Sequence, residues 1–305
     1  MAHVEPQNPI EPGGGLPRRM LFGISVTPLA AEHAAIVAQV AAAERGGLDL
    51  VGIQDHPYQR RFLDTFALIA DLAARTERIS LFPDVASLPM RGPTMIAKAA
   101  ASIDVMSGGR FELGIGAGGF WDAVAGMGGP RRSVGESFDV LEEALPVIRA
   151  ALDAERSVRA TGPHVVVSYP PGPPPAHRVE IWIGAYGPRG MRLIGQHADG
   201  WVPSMGRRRP DQLRDAVVRM DEAADAAGRD PRRIRRVLNI GGSVTDGELG
   251  EGVVSGPVNL WVETLAGWAA DLGADAFVFW PPDTGTDQVE RFAGEVVPAV
   301  RAALA

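Results

Sequence analysis

The chain has 305 residues, 46% of them hydrophobic and 22% charged, with a formal net charge of −7 and no cysteine. This composition fits a folded globular protein and not a disordered one. The missing cysteines exclude disulfide scaffolds, thiolate metal sites and cysteine nucleophiles. The acidic balance argues against nucleic acid as a partner, and no apolar run approaches the ~18 residues of a membrane span. Residues 1–19 lack the apolar core of a signal peptide, so the chain reads as a cytoplasmic protein of enzyme size.

Residues 1–19 are rich in Pro and Gly and read as a flexible arm, with 20–305 as a single domain. From Met20 onward, apolar runs bounded by turn signals alternate with helical patterns. The predicted strands are Met20–Ser25, Leu48–Ile53, Ile79–Val85, Arg110–Gly116, Glu180–Ala185, Gly200–Pro203, Arg236–Ile240 and Ala274–Trp280. Runs such as Ala276–Trp280 are continuously apolar, as expected of strands buried on both faces. One intervening helix places Ile96, Ala99, Ile103 and Met106 on one face; another does so with Phe138, Leu141, Leu145, Ile148 and Leu152. Ser133 and Glu136 predict a capping box for the second. A third opens at Pro210 and closes near Gly228.

The stretch between the fourth and fifth strands is long and Pro-rich, with Val165–Val167 as a short extra strand. The fold class is therefore α/β, a (β/α)8 TIM barrel with an insertion after strand 4. The alternative is an open, doubly wound sheet. Gly114-Ile115-Gly116-Ala117-Gly118-Gly119 satisfies G-x-G-x-x-G, with Asp139 twenty residues on, which on paper suggests a nicotinamide-dependent Rossmann dehydrogenase. That fingerprint belongs in a first strand-to-helix turn, whereas here it follows the fourth strand. At the C-terminal end of a barrel strand, such glycines instead expose backbone on the active-site face.

No histidine pair has metal-ligand spacing, and neither a nucleophile elbow nor a Walker loop is present. His56 ends the second strand in Asp55-His56-Pro57, where an imidazole suits proton transfer and Asp55 is placed to raise its pKa. Ser25 and Gln54 end neighbouring strands and either hydrogen-bond a ligand or pack; Trp280 ends the eighth, and Phe120 and Trp121 follow the glycines, each either a pocket wall or packing. Gly187-Pro188 opens a helix that, with Arg189, is either an ordinary helix start with a surface arginine or a set of donors suited to an anion. Lys98 is the single lysine; Arg207-Arg208-Arg209 is either a solvated helix entry or a dock for an anionic tail.

Leu88-Pro89-Met90-Arg91-Gly92-Pro93, the run Met106–Gly118 with its Ser-Gly-Gly-Arg and Leu-Gly-Ile-Gly core, Gly184–Arg189 and Ala198-Asp199-Gly200-Trp201 together resemble the bacterial luciferase-like flavin-dependent oxidoreductases. The resemblance implies a barrel that binds FMN or the deazaflavin coenzyme F420 at its C-terminal mouth. It implies monooxygenation or hydride transfer on a small-molecule substrate, a separate flavin reductase in the monooxygenase case, and a homodimer. It places Asp55 and His56 as catalytic groups beside the ring, a non-proline cis peptide at Asp84-Val85 behind it, and Gly116, Ala117 and Gly118 beneath it. Ser25, Gln54, Gly184 and Ala185 complete the ring's surroundings; Gly187, Pro188, Arg189, Ser204, Met205 and Gly206 hold the phosphate. Ala117, Gly119 and Arg60 depart from luciferase itself and from the sugar-phosphate dehydrogenases of the family, so a flavin-binding barrel without turnover stands as the second reading.

Overall fold

The computed structural model describes residues 18–154 and 156–305, so residues 1–17 of the expected arm lie outside the described residues. In chain order the elements are β1 (Leu21–Val26), α1 (His33–Arg45), β2 (Leu50–Ile53), α2 (Thr65–Ala74), β3 (Ser80–Pro83), β4 (Ala86–Ser87), α3 (Leu88–Arg91), α4 (Pro93–Ser107), β5 (Leu113–Gly116), α5 (Trp121–Gly126) and α6 (Val134–Leu152). They continue as β6 (Val158–Thr161), β7 (Val166–Tyr169), β8 (Ile181–Ile183), α7 (Pro188–His197), β9 (Gly200–Trp201), α8 (Pro210–Ala226), β10 (Arg235–Val244), β11 (Val254–Gly256), α9 (Val258–Leu272), β12 (Ala276–Trp280), α10 (Asp287–Arg291) and α11 (Val297–Ala303).

Apart from the β6–β7 hairpin, the strands form one parallel sheet in the order β3-β2-β1-β12-β10-β9-β8-β5-β4, with β11 paired to β10. Its two ends, β3 and β4, flank the Asp84-Val85 peptide, which is cis; the predicted strand Ile79–Val85 covers β3 and stops short of β4. Leu81 bridges Phe111, donating to Arg110 O at 2.9 Å and accepting from Glu112 N at 3.0 Å, and so joins β3 to the approach of β5. The sheet thereby closes on itself, which sets aside the open-sheet alternative. It also sets aside the Rossmann reading: Gly114 lies on the fourth barrel strand and not in a first strand-to-helix turn.

Two apolar layers explain the continuous hydrophobic runs. Leu21, Leu50, Phe82, Trp182, Val202, Val237, Ala276 and Val278 pack together as one cluster, with Val85 against it, and fill the barrel interior. The alternate strand residues, among them Phe22, Ile24, Val51, Ile115 and Phe277, pack outward against the helices. The insertion after β5 holds α5, α6 and the antiparallel hairpin β6–β7, into which the predicted extra strand falls. The Ser133–Glu136 capping box is present at the start of α6. One face is corrected. In α4 the buried residues are Ile96, Ala97, Ala100, Ala101, Ile103, Asp104 and Ser107, while Met106 is 69% exposed. Small alanines, and not a stripe of large residues, let α4 approach the barrel.

The Ser-Gly-Gly-Arg segment is architectural. Gly108 and Gly109 take φ of 70° and 89°, which ends α4 in the left-handed region where a Cβ is disfavoured. Arg110 then donates to the carbonyls of Ala73 (2.7 Å), Thr76 (3.0 Å) and Ile79 (2.9 Å), tying the end of α2 to the start of β3. Arg110→Met keeps the apolar stem but leaves these carbonyls unpaired. It is expected to lower stability by about 2 kcal/mol, read from the urea midpoint.

Candidate active site

Parallel strands give the barrel two unlike ends. At the N-terminal end, charges are paired. Arg235, 1% exposed, meets Asp275 at 3.2 Å and Glu180 at 3.5 Å. Arg149 and Arg178 both hold Asp199. A cavity of about 560 Å³ opens here between Arg18, His177, Arg178 and Arg229, facing away from the strand ends where barrel chemistry sits.

The C-terminal end collects most of the predicted residues. His56 leaves β2; its Nδ1 lies 2.7 Å from Tyr58 Oη. Its ring is enclosed by Tyr58, Phe62 and Phe120, with centroids 5.5, 6.4 and 5.6 Å away. Phe120 holds φ of 53° and is 68% exposed, so an aromatic ring stands over the mouth from the loop after β5. Asp55 acts to raise the His56 pKa, as expected, but the net shift is downward. Burial lowers it, with Arg207 adding to the shift, and Asp55 opposes without prevailing. Asp55 itself is buried. It accepts from Ser87 N at 2.9 Å and from Arg91 Nε and Nη2, both at 3.1 Å, so its carboxylate ties β2 to β4 and α3 instead of facing His56. Gln54 uses its carbonyl to accept from Thr65.

A second group sits deeper. Asp84 accepts from Asn239 Nδ2 at 3.0 Å and from Ser25 Oγ at 3.5 Å, bringing together β1, the bulge after β3 and β10. Burial pushes its carboxyl up to about 6, against the two hydrogen bonds. Asn239 is 3% exposed, and its Oδ1 has no hydrogen-bond partner among the described residues.

The glycines have a structural use beside the expected one. A Cβ on Gly116 would lie 2.9 Å from Val85 Cγ2, and on Gly184 3.2 Å from the same atom; on Gly114 it would meet Pro83 O at 2.2 Å. These glycines make room for the bulged strand at Val85. Gly118, with φ of 106°, is packed against Pro89 and Trp121. A side chain at Gly116 or Gly118 would therefore collide with Val85 or with Pro89 and Trp121, while Gly118 itself is exposed. Ala117 and Ala185 are buried wall residues.

The phosphate segment is also changed. Gly187 precedes α7 as expected, with Pro188 in its first turn. Arg189, however, is drawn to α6, meeting Asp139 and Glu142 at 2.7 Å each and Gly135 O at 3.2 Å, so its charge is already matched. Ser204 N donates to Tyr186 Oη at 2.7 Å, and Met205 N donates to Asn239 O at 2.8 Å. Gly206 carries φ of 80°. The three neighbouring arginines diverge: Arg209 pairs with Asp211, Arg208 lies over the Tyr186 ring at 5.8 Å, and Arg207 acts on His56. Beside α6, Arg132 has a buried Nη1 without a hydrogen-bond partner among the described residues, as does Arg189 at Nε.

Tyr58, Asn239 and Arg132 are the additions to the predicted set. Asn239 had a signal, an amide inside the apolar run Val237–Ile240. Tyr58 and Arg132 sit in loops, where no periodicity marks them. Among the described residues no cluster of His, Asp and Glu fits a metal ion, and no helix is long and apolar enough to cross a membrane.

Comparison with known proteins fits this geometry. An uncharacterized protein of Mycobacterium tuberculosis is 27% identical over 186 residues, 61% of this chain and 62% of its own length. The phthiodiolone/phenolphthiodiolone dimycocerosates ketoreductase of Mycobacterium kansasii is 30% identical over 184 residues, 56% of this chain and 47% of that protein. The chain thus spans less than two thirds of the length of these relatives. The coenzyme F420-dependent tetrahydromethanopterin reductase of Methanopyrus kandleri shares the fold, with a TM-score of 0.80 at 19% identity over 92% of this chain and 99% of that one. The family model described as luciferase-like monooxygenase matches residues 19–248, more than half of the chain, and the chain belongs to that family.

Proposed function

We propose that the protein is an oxidoreductase that works with a reduced flavin (FMN) or deazaflavin (F420) on a small organic substrate. The observation that carries this reading is the mouth itself. His56 and the Ser25–Asp84–Asn239 group stand at the strand ends of a closed barrel, in a chain of the luciferase-like family. The residues fit such a cofactor. A flavin or deazaflavin ring edge offers N–H and carbonyl groups, and the unpartnered buried acceptor of Asn239 suits the former. A phosphate needs donors, and Arg132 Nη1 and the start of α7 are candidates to supply them.

Asn239, Asp84 and Ser25 would hold the ring, with Gln54, Gly184, Ala185, Ser204, Met205 and Gly206 around it; Arg132, Gly187 and Pro188 would hold the phosphate. Bound there, the reduced cofactor supplies a hydride, or, for the flavin with dioxygen, an oxygen atom. His56 then moves or holds the proton that balances the reaction. Phe120, Phe62 and Tyr58 would limit water around His56, and Val85 would back a bound ring. In the monooxygenase case a separate reductase supplies the reduced flavin, and the working form is a homodimer.

The test begins with the chromophore released on denaturation and separate titrations with FMN and F420; binding of neither overturns the reading. His56→Ala is expected to leave affinity for the bound cofactor within about threefold and to cut turnover by about 10²-fold or more. Unchanged turnover would remove His56 from the mechanism.

A further inference from the structure

Asp55 adjoins His56 in sequence, and a carboxylate is the usual partner that orients a working histidine. Such a partner accepts from Nδ1–H and leaves the far nitrogen, Nε2, as a base. The fold withholds that partner, because Asp55 is held by Ser87 N and Arg91. The group that does meet Nδ1 is a phenol, Tyr58 Oη at 2.7 Å.

A phenol and a neutral imidazole can share one hydrogen bond in two senses. An imidazole nitrogen is a far better acceptor than a phenol oxygen, and a phenol is the stronger donor, so O–H to Nδ1 is the favoured sense. Tyr58 Oη meets no other hydrogen-bond partner among the described residues, so the reverse sense would leave its proton without a protein acceptor. Which ring nitrogen of a neutral histidine carries the proton is set by the bond that the other one makes. The charged groups acting on His56 leave this sense intact. Asp55 and Arg207 oppose one another, and burial favours the neutral ring. Burial and Asp55 also push the Tyr58 phenol up to about 12, so it keeps its proton. The aromatic enclosure by Phe62 and Phe120 limits rotation of the imidazole away from its partner.

We propose that Tyr58 is a positioning residue that donates to His56 Nδ1 and fixes the proton on Nε2, so that His56 meets the substrate as a hydrogen-bond donor. The role in turnover rests on the flavin reading above, whereas the tautomer does not. The consequence is directional: an Nε2–H imidazole stabilises negative charge developing on a substrate oxygen, as in reduction of a carbonyl, and cannot begin by accepting a proton there.

The test is a long-range ¹H–¹⁵N correlation spectrum of the six histidine side chains in the ¹⁵N-labelled full chain at about pH 8, where the ring is neutral. The His56 pattern is identified by its loss in His56→Asn. The expected result is an Nε2–H form favoured about tenfold or more in the wild type, falling to within about threefold of the other form in Tyr58→Phe. A wild-type His56 protonated on Nδ1 overturns the proposal, and so does a tautomer ratio unchanged in Tyr58→Phe. If that variant fails to fold, the wild-type pattern alone decides. FMN and F420 titrations of the same samples separate the two ideas: the expected tautomer in a protein that binds neither cofactor sinks the flavin reading and leaves the role of Tyr58 standing.

Discussion

Asp84→Asn is expected to stabilise the folded protein by about 3 kcal/mol at pH 7 and by nothing at pH 3. Burial pushes the Asp84 carboxyl up to about 6 in the fold, against an ordinary value of 3.8. The folded state therefore binds the proton more tightly than the unfolded chain. Below about 4 both states carry the proton and the site is neutral to stability. As the pH rises to about 6 the unfolded chain ionises freely while the folded one resists, so stability falls and then stays flat. Asparagine has no charge to bury. Its amide oxygen can still accept from Asn239, and its NH2 offers a donor to Asn239 Oδ1, which otherwise has none. Urea midpoints for both proteins at pH 3, 5 and 7 check this; equal gaps at all three would show that the carboxyl is not held against its charge. A stabilised variant with reduced turnover would mark Asp84 as a group retained for work at the mouth despite its cost.

His177→Ala is expected to cost about 3–5 kcal/mol, because it removes the cation from between two buried carboxyl groups. His177 Nδ1 lies 2.7 Å from Asp104 and Nε2 3.2 Å from Glu112, whose side chains are 0% and 4% exposed. Burial disfavours the imidazolium, but the hydrogen bonds and charges of the two acids outweigh it and push the group up to about 10. Here the sign is opposite to that of Asp84. The stabilisation is complete below about 6.5, declines as the pH rises, and is gone above about 10. Burial also pushes the Glu112 carboxyl up to about 7, so this partner titrates in the same window; Lys98 is the single lysine and there are three tyrosines. The gap between wild type and variant, measured by urea at pH 6, 8 and 10, should narrow as the pH rises. A constant gap would assign the loss to packing alone. Asp104 also accepts from Ala176 N and His177 N, so this cluster anchors the segment that returns from the insertion to β8.

The barrel was legible because its strands are apolar on both faces; eight such runs with helices between them leave little else for a chain of this size. The α6 capping box and the Asp84-Val85 interruption were also legible, the one from residue spacing and the other from family resemblance. The use made of each residue was less so. Arg189 looked available for a phosphate, yet Asp139 and Glu142 lie one helical turn apart on a helix that packs beside it, a pairing visible only in three dimensions. Asp55 looked like the partner of His56, yet the turn after β2 aims it at α3. The phenol two residues beyond His56 took its place, because in a tight turn residues i and i+2 can face one another.

The glycines at 114, 116 and 184 share one further property. A Cβ on any of them would come within about 3 Å of the bulged segment Pro83–Val85, although position 184 lies roughly a hundred residues away along the chain. The shape of the mouth is thus encoded jointly by segments from both halves of the barrel. A chimera that joins the first three strands of this protein to the remainder of a relative would inherit only one side of that fit. Crossover points for recombining this family are therefore safer outside the interval 83–184 than within it.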